Sequence, residues 1–378
     1  MTVRTGIEGL RDDGFAALAG KRVGLLANPS AVDRALRSTV DILREHVHLA
    51  ALFSPEHGFA ASADQESIES HLDPRTGIPV HSLYRNWQSI QPTPAMLADI
   101  DVLVCDLQDI GTRFYTYAWA VSQVLEGAGA AGVPVMVLDR PNPLGGRIDG
   151  PVLDMQLASA VGRAPIPIQH GLTLGELMRL FNTQWNPTPA QLSVIECRGY
   201  QHRLRWEDTG LPFVPTSPAM AHLDTVYQYP GACLVEGTNL SEGRGTALPF
   251  EIVGAPFIDP YPLIAELEKS GLRGVAFRPH SFQPSSSKFA GEVCQGIQVH
   301  RLDDGFRPLP VWISVISAIR HRYPNQFEWN TSFFDKLAGN STLRQQIDAG
   351  ESADQIVDSW GDALVAFDSL RRAALLYP

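Results

Sequence analysis

Four short apolar runs recur through the first 150 residues, and each empties directly into polar side chains. Residues 23–27 run into Asn28, Pro29 and Ser30, and residues 48–53 into Ser54, Pro55, Glu56 and His57. Residues 102–105 run into Asp106, Gln108, Asp109 and Arg113, and residues 133–138 into Asp139, Arg140 and Asn142. Helical patterns fill the gaps, at residues 39–45, 94–99 and 119–131. A strand buried on both faces reads as an unbroken apolar run, so this alternation predicts a doubly wound, mostly parallel α/β sheet. Ligands bind such sheets outside the carboxyl ends of the strands. The polar clusters are therefore where chemistry is expected.

The densest cluster is 102–117, VLVCDLQDIGTRFYTY, which brings Asp106, Gln108, Asp109, Arg113, Tyr115 and Tyr117 together and reads as one wall of an active site. A plainer reading has Asp106 and Asp109 capping the next helix while the tyrosines pack its first turn. No loop carries GxGxxG after a strand or GxxxxGK[ST], so no dinucleotide or nucleotide cofactor is expected. The loops offer acid, amide and imidazole instead: Asn28, Glu56, His57, Asp64, Glu66, Asp106, Asp109, Arg113, Asp139, Arg140 and Asn142. That inventory suits binding and protonating a polyhydroxylated ligand.

At 378 residues the chain is long for one hydrophobic core, and two domains are expected. The formal charge of −11 disfavours nucleic acid and anionic lipid as partners, and no run of about eighteen apolar residues could span a bilayer. The start, MTVRTGIEGLRDDGF, lacks the apolar core of a secretory signal. It reads as cytoplasmic as it stands, or as periplasmic or secreted if the chain is a processed form. Cys105, Cys197, Cys233 and Cys294 are too scattered for a zinc site and are expected as buried thiols.

Further along, Thr173 and Glu176 have capping-box spacing just after His170. Residues 206–231 are Pro-rich and aromatic and read as an irregular segment. A glycine-punctuated loop then carries Glu236, Asn239, Glu242 and Arg244, and Lys288 is the one basic residue expected to reach the site from the later strands. Residues 333–378 read as two or three amphipathic helices.

FSPEHGF, DPRTGIPVHSLY, DLQDIGTRFYTY, VLDRPNPLGG, IQHGLTLGEL, YPGACLVEGTNLSEGRGTALPFEIVGAP and KFAGEVCQGIQVH follow one another along the chain. Through these motifs it resembles, over essentially its whole length, the exo-β-N-acetylmuramidase family, the NamZ-type peptidoglycan hydrolases. It differs from the family pattern at Ala60-Ala61, at a shortened ADQES segment, and at Ser217-Pro218-Ala219. The resemblance implies a Rossmann-like catalytic domain (1–258), a smaller α+β C-terminal subdomain (259–378), and an active site in the cleft between them. It implies release of N-acetylmuramic acid from the non-reducing end of a peptidoglycan-derived disaccharide or muropeptide.

Glycoside hydrolysis needs an acid for the leaving oxygen and a second carboxylate that attacks or activates water. Glu56, at a strand end where burial would raise its pKa, is the expected acid, with a helix-capping role as the alternative. Glu66, Asp106, Asp109, Glu236 and Glu242 compete for the second role, which could also be to orient the sugar's own 2-acetamido group. A lactyl carboxylate suits a guanidinium, and Arg113, Arg140 and Arg244 all lie in the marked loops. Asn28, His57, Asp106, Gln108, Tyr115, Tyr117, Asn142, His170, Glu236 and Asn239 complete the expected substrate contacts. Two rival readings are a metal-assisted hydrolase using His57, Asp106, Asp109, Asp139 and His170, and a sugar-binding protein without catalysis.

Overall fold

The apolar run after Lys21 becomes the central strand of a seven-stranded sheet in the computed structural model, which describes residues 2–55, 71–83 and 90–378. The strands of this sheet are β1 (Arg22–Ala27), β2 (His48–Ser54), β3 (His71–Leu72), β4 (Pro79–Ser82), β5 (Val102–Asp106) and β6 (Val135–Leu138), with one more after a hairpin. That hairpin is β7 (Asp149–Val152) with β8 (Pro167–Gln169), and β9 (Leu192–Ile195) then completes the sheet. The order is β3-β4-β2-β1-β5-β6-β9, parallel throughout except for β3 against β4. All four apolar runs are thus strands, and all are neighbours or near neighbours.

The order fixes where a ligand can enter. From β1 the chain moves outward to β2 and β4, then returns to the other side of β1 as β5 and moves outward again to β6 and β9. Loops leaving the carboxyl ends of β1 and β5 therefore diverge, and a crevice opens between them.

Val23, Leu25, Leu52, Val102, Val104 and Leu138 pack into one core cluster with Val40 and Leu43 of the helix Thr39–His46. Each fully buried side chain of this size contributes roughly 1.5–3 kcal/mol. Ser38 caps that helix, its side chain accepting from the Asp41 N–H. The helix Gly6–Asp12, which carries too little periodicity to be read from sequence, packs Ile7 and Leu10 into the same cluster. The helix Thr116–Ala131 is buried along most of its length, as its small residues permit.

The chain divides into two compact units, one formed by residues 1–147, 170–218 and 369–378, the other by 148–169 and 219–368. The boundary expected between residues 258 and 259 falls inside the second unit. That unit contains the β7–β8 hairpin and a three-stranded antiparallel sheet of β10 (Ile252–Ala255), β11 (Val275–Phe282) and β12 (Cys294–Arg301), in the order β10-β12-β11. Its longest helix is Pro308–Arg322, with Leu309, Trp312, Ile313, Val315 and Ile316 inside.

Residues 206–231 are not irregular throughout: they hold the helix Trp206–Thr209 and most of the helix Leu223–Ala232. Pro230 sits in the last turn of the latter, where only one backbone bond is lost, and buried Val226 and Tyr229 anchor the helix. The later region forms four helices rather than two or three, at Thr331–Ala338, Thr342–Asp348, Ala353–Asp358 and Gly361–Arg371. Among the described residues no helix is long and apolar enough to cross a membrane. The four cysteines are buried free thiols.

Candidate active site

The loops after β1, β5 and β6 meet at one edge of the first unit's sheet. Asp106 closes β5 and is fully buried, and Arg140 grips it as a fork, Nε donating to Oδ1 at 2.5 Å and Nη2 to Oδ2 at 2.9 Å. Thr39 Oγ1 donates to Oδ2 at 2.5 Å, and Arg140 Nη2 also reaches the Val32 carbonyl at 2.9 Å. Burial works against charge on Arg140, but Asp106 outweighs it and the guanidinium pKa is raised. A buried, bidentate pair of this kind is a strut: removing either partner strands the other's charge. Asp106 and Arg140, both read from sequence as substrate contacts, thus occupy each other and tie three loops together.

Amides continue the stitching. Asn28 Oδ1 accepts from the Ser30 N–H at 3.0 Å, and its Nδ2 donates to the Thr216 carbonyl at 3.4 Å. Gln108 Nε2 donates to the carbonyls of Asp109 at 2.7 Å and Pro141 at 2.8 Å. Asn142 Nδ2 donates to the Leu172 carbonyl at 3.0 Å, and its Oδ1 accepts from the Leu144 N–H at 2.9 Å. Tyr115 and Tyr117 stand edge to face at 5.1 Å between ring centres. Both converge on Thr216: the Tyr115 hydroxyl lies 2.5 Å from its Oγ1, and the Tyr117 hydroxyl donates to its carbonyl at 2.7 Å. Burial pushes the Tyr115 phenol pKa well up, so it stays protonated.

Asp109 differs from its neighbours. Its Oδ2 accepts from the Gly111 N–H at 2.7 Å and lies 3.4 Å from His170 Nε2, but its Oδ1 is buried with no hydrogen-bond partner among the described residues. The side chain is only 4% exposed. Most buried polar atoms are paired, so this unpaired carboxylate oxygen sets Asp109 apart from its neighbours. Gly111 makes the turn possible. Its φ is +76°, and a methyl group there would lie 2.2 Å from Asn142 Oδ1. Arg113, on the same loop, is fully buried, and burial lowers its pKa to about 9, leaving it a cation at neutral pH.

Asp139 and Glu176, by contrast, are structural. Asp139 accepts from Thr173 Oγ1 at 2.7 Å, the Gly175 N–H at 2.8 Å and the Tyr377 hydroxyl at 2.6 Å, and burial pushes its pKa up to about 6. Glu176 completes the capping box with Thr173 and also takes the Leu376 N–H at 2.8 Å.

The second unit brings the other predicted acids together. Glu236 Oε1 accepts from Arg244 Nε at 2.8 Å, and Glu242 Oε2 from Lys288 Nζ at 3.1 Å, with Arg244 Nε 3.7 Å from Glu242 Oε1. Burial opposes charge on Arg244, but Glu236 outweighs it and the pKa is raised. Lys288 is turned inward rather than toward a ligand: its ammonium also donates to the carbonyls of Val235, Glu236 and Leu240 at 2.9–3.2 Å. Both ends of the Asn239 amide are taken by backbone, at Gln326 and Glu328.

Glu56, His57, Asp64 and Glu66 lie outside the described residues. Thr216 is the residue that sequence reasoning missed. It collects bonds from positions 28, 115 and 117, and nothing local marks it. Among the described residues no group of three His, Cys, Asp or Glu side chains could hold a metal ion.

Known proteins match this arrangement along its length. The model of the N-terminal part of exo-beta-N-acetylmuramidase NamZ matches residues 23–224, and that of the C-terminal part residues 227–377. Peptidoglycan beta-N-acetylmuramidase NamZ of Bacillus subtilis (strain 168) is 45% identical over 381 residues, spanning 99% of this chain and 91% of that protein. Crystal structures of two DUF1343 family proteins from Bacteroides fragilis NCTC 9343 share the fold, with TM-scores of 0.91 and 0.83 and identities of 34% and 32%. Each alignment covers 100% of this chain and 99% of the other. Matched over residues 23–224 and 227–377 by the two family models and over 99% of its length by a relative of this similarity, the chain belongs to the exo-β-N-acetylmuramidase NamZ family.

Proposed function

We propose that this chain is an exo-acting β-N-acetylmuramidase, a glycosidase that releases N-acetylmuramic acid from the non-reducing end of peptidoglycan-derived disaccharides or muropeptides. The observation that carries this reading is 45% identity, sustained over 99% of the chain, to a peptidoglycan β-N-acetylmuramidase. In the proposed chemistry Glu56 protonates the leaving oxygen. Asp109 serves as the second carboxylate, attacking the anomeric carbon, activating water or orienting the 2-acetamido group. Its bare Oδ1 supports that role, whereas Asp106 and Glu242 have cations bound to them. Arg113, a buried cation on the same loop, is the proposed partner of the lactyl carboxylate, because low-dielectric surroundings strengthen its attraction for an anion.

The test uses purified protein with aryl β-N-acetylmuramides and the matching β-N-acetylglucosaminides. Turnover of the muramides alone is expected, and equal turnover of both sugars would refute the proposed specificity. Glu56→Gln should slow substrates with poor leaving groups far more than activated aryl glycosides, which depart without protonation. Asp109→Asn should slow both alike. No turnover of either sugar by the wild type would instead favour the sugar-binding reading.

A further inference from the structure

We propose that His170 is a positioning residue that holds Asp109 for hydrolysis, rather than a substrate contact; this rests on the reading of Asp109 as the second carboxylate. His170 is completely buried and is held by two hydrogen bonds. Its backbone N–H donates to the Gly111 carbonyl at 3.3 Å, which docks it on the turn that carries Asp109. Its Nδ1 accepts from the Leu172 N–H at 3.2 Å. With a donor on Nδ1, the neutral ring carries its hydrogen on Nε2, so the tautomer is fixed by the backbone two residues on. That Nε2 lies 3.4 Å from Asp109 Oδ2, short of a formed hydrogen bond, and has no hydrogen-bond partner among the described residues.

The consequence for Asp109 is an asymmetric carboxylate. Oδ2 is held by the Gly111 N–H and lies 3.4 Å from His170 Nε2, while Oδ1 has no partner among the described residues. A buried acceptor without a donor is costly in the resting protein, and that cost is recovered when the substrate or attacking water presents a hydrogen to it. Hydrogen bonds among catalytic groups are often long in the empty enzyme and tighten in the complex, and the 3.4 Å gap is of that kind. His170 sets the plane and direction of Oδ1 without touching the sugar.

Two amide substitutions separate this role from plain structural support, because each keeps one half of the imidazole. His170→Asn retains an acceptor near Nδ1 for the Leu172 N–H but cannot reach Asp109. His170→Gln retains a donor near Nε2 but gives up that acceptor. The expected result is that His170→Asn unfolds at the wild-type urea midpoint yet loses about 100-fold in kcat, the effect of misplacing a catalytic group by an ångström, with KM little changed. His170→Gln should recover most of that loss. In an Asp109→Asn background, His170→Asn should cost nothing further. Wild-type kcat for His170→Asn, or equal losses for both single variants with a raised KM, would overturn the inference. If His170→Gln fails to fold, the Asp109→Asn background alone decides, an additive loss counting against it. Wild-type turnover by Asp109→Asn would refute the catalytic reading of Asp109 itself, a result distinguishable from failure of the His170 proposal.

Discussion

Asp139 is a buried carboxylate with three donors and still an elevated pKa, because the loss of water outweighs the Thr173, Tyr377 and Gly175 bonds. With a folded pKa of about 6 against an unfolded value of about 4, the native state holds the proton more tightly. Stability from this group is therefore greatest below about pH 4 and falls as pH rises toward 6, opposite to the usual effect of a carboxylate. The gap between those two values corresponds to roughly 2–3 kcal/mol at about pH 7. Asp139→Asn keeps the shape and removes the titration. Relative to wild type it is expected to gain on the order of 2 kcal/mol between about pH 4 and pH 7 in urea unfolding curves. A difference that stays constant with pH would show that Asp139 does not titrate in this window.

Elements whose signal is local were legible in the chain. The four parallel strands were visible because double burial makes each an apolar run, and the helix Leu174–Gln184 because Thr173 and Glu176 sit at capping-box spacing. The helix Leu223–Ala232 was hidden behind Pro230, since a proline in the last turn looks the same on paper as one that ends a helix. The site divided along the same line. Residues after strand ends were found, but their pairings were not, because Arg140 with Asp106 or Tyr115 with Thr216 joins positions that share no pattern. Thr216 shows what such a pairing contributes to the loop it fastens. Thr216→Val deletes the Oγ1 partner of Tyr115 and keeps the carbonyl that serves Tyr117 and Asn28. A loss of about 1–2 kcal/mol is expected for it and for Tyr115→Phe, with the double variant losing less than the sum by about 1 kcal/mol. Additive losses in urea unfolding would mean that the two hydroxyls do not support each other.

Taken over the whole molecule, the acids are numerous, but those at the first unit's sheet edge are largely committed. Asp106 is bound by Arg140, and Asp139 by Thr173, Gly175 and Tyr377, which leaves Asp109 Oδ1 and His170 Nε2 as the atoms without a hydrogen bond, among the described residues, in the set that a metal would have needed. His57 lies outside the described residues, and two described donors by themselves are fewer than the three or four side chains of a typical protein site. Dialysis against EDTA should leave muramidase turnover unchanged, and loss restored by a single divalent ion would overturn this. The same commitments bear on how the protein is made. Residues 369–378 belong to the first unit, yet all of 219–368 must be synthesised before them. Until position 377 leaves the ribosome, Asp139 lacks its tyrosine, Glu176 lacks the Leu376 amide, and the Cys197 N–H lacks the phenol oxygen it donates to at 2.8 Å. At about 5–20 residues per second that interval is roughly 8–30 s. The first unit, begun before residue 148, can close only after residues 219–368 have been made, so its buried acids wait through that interval for their last donors.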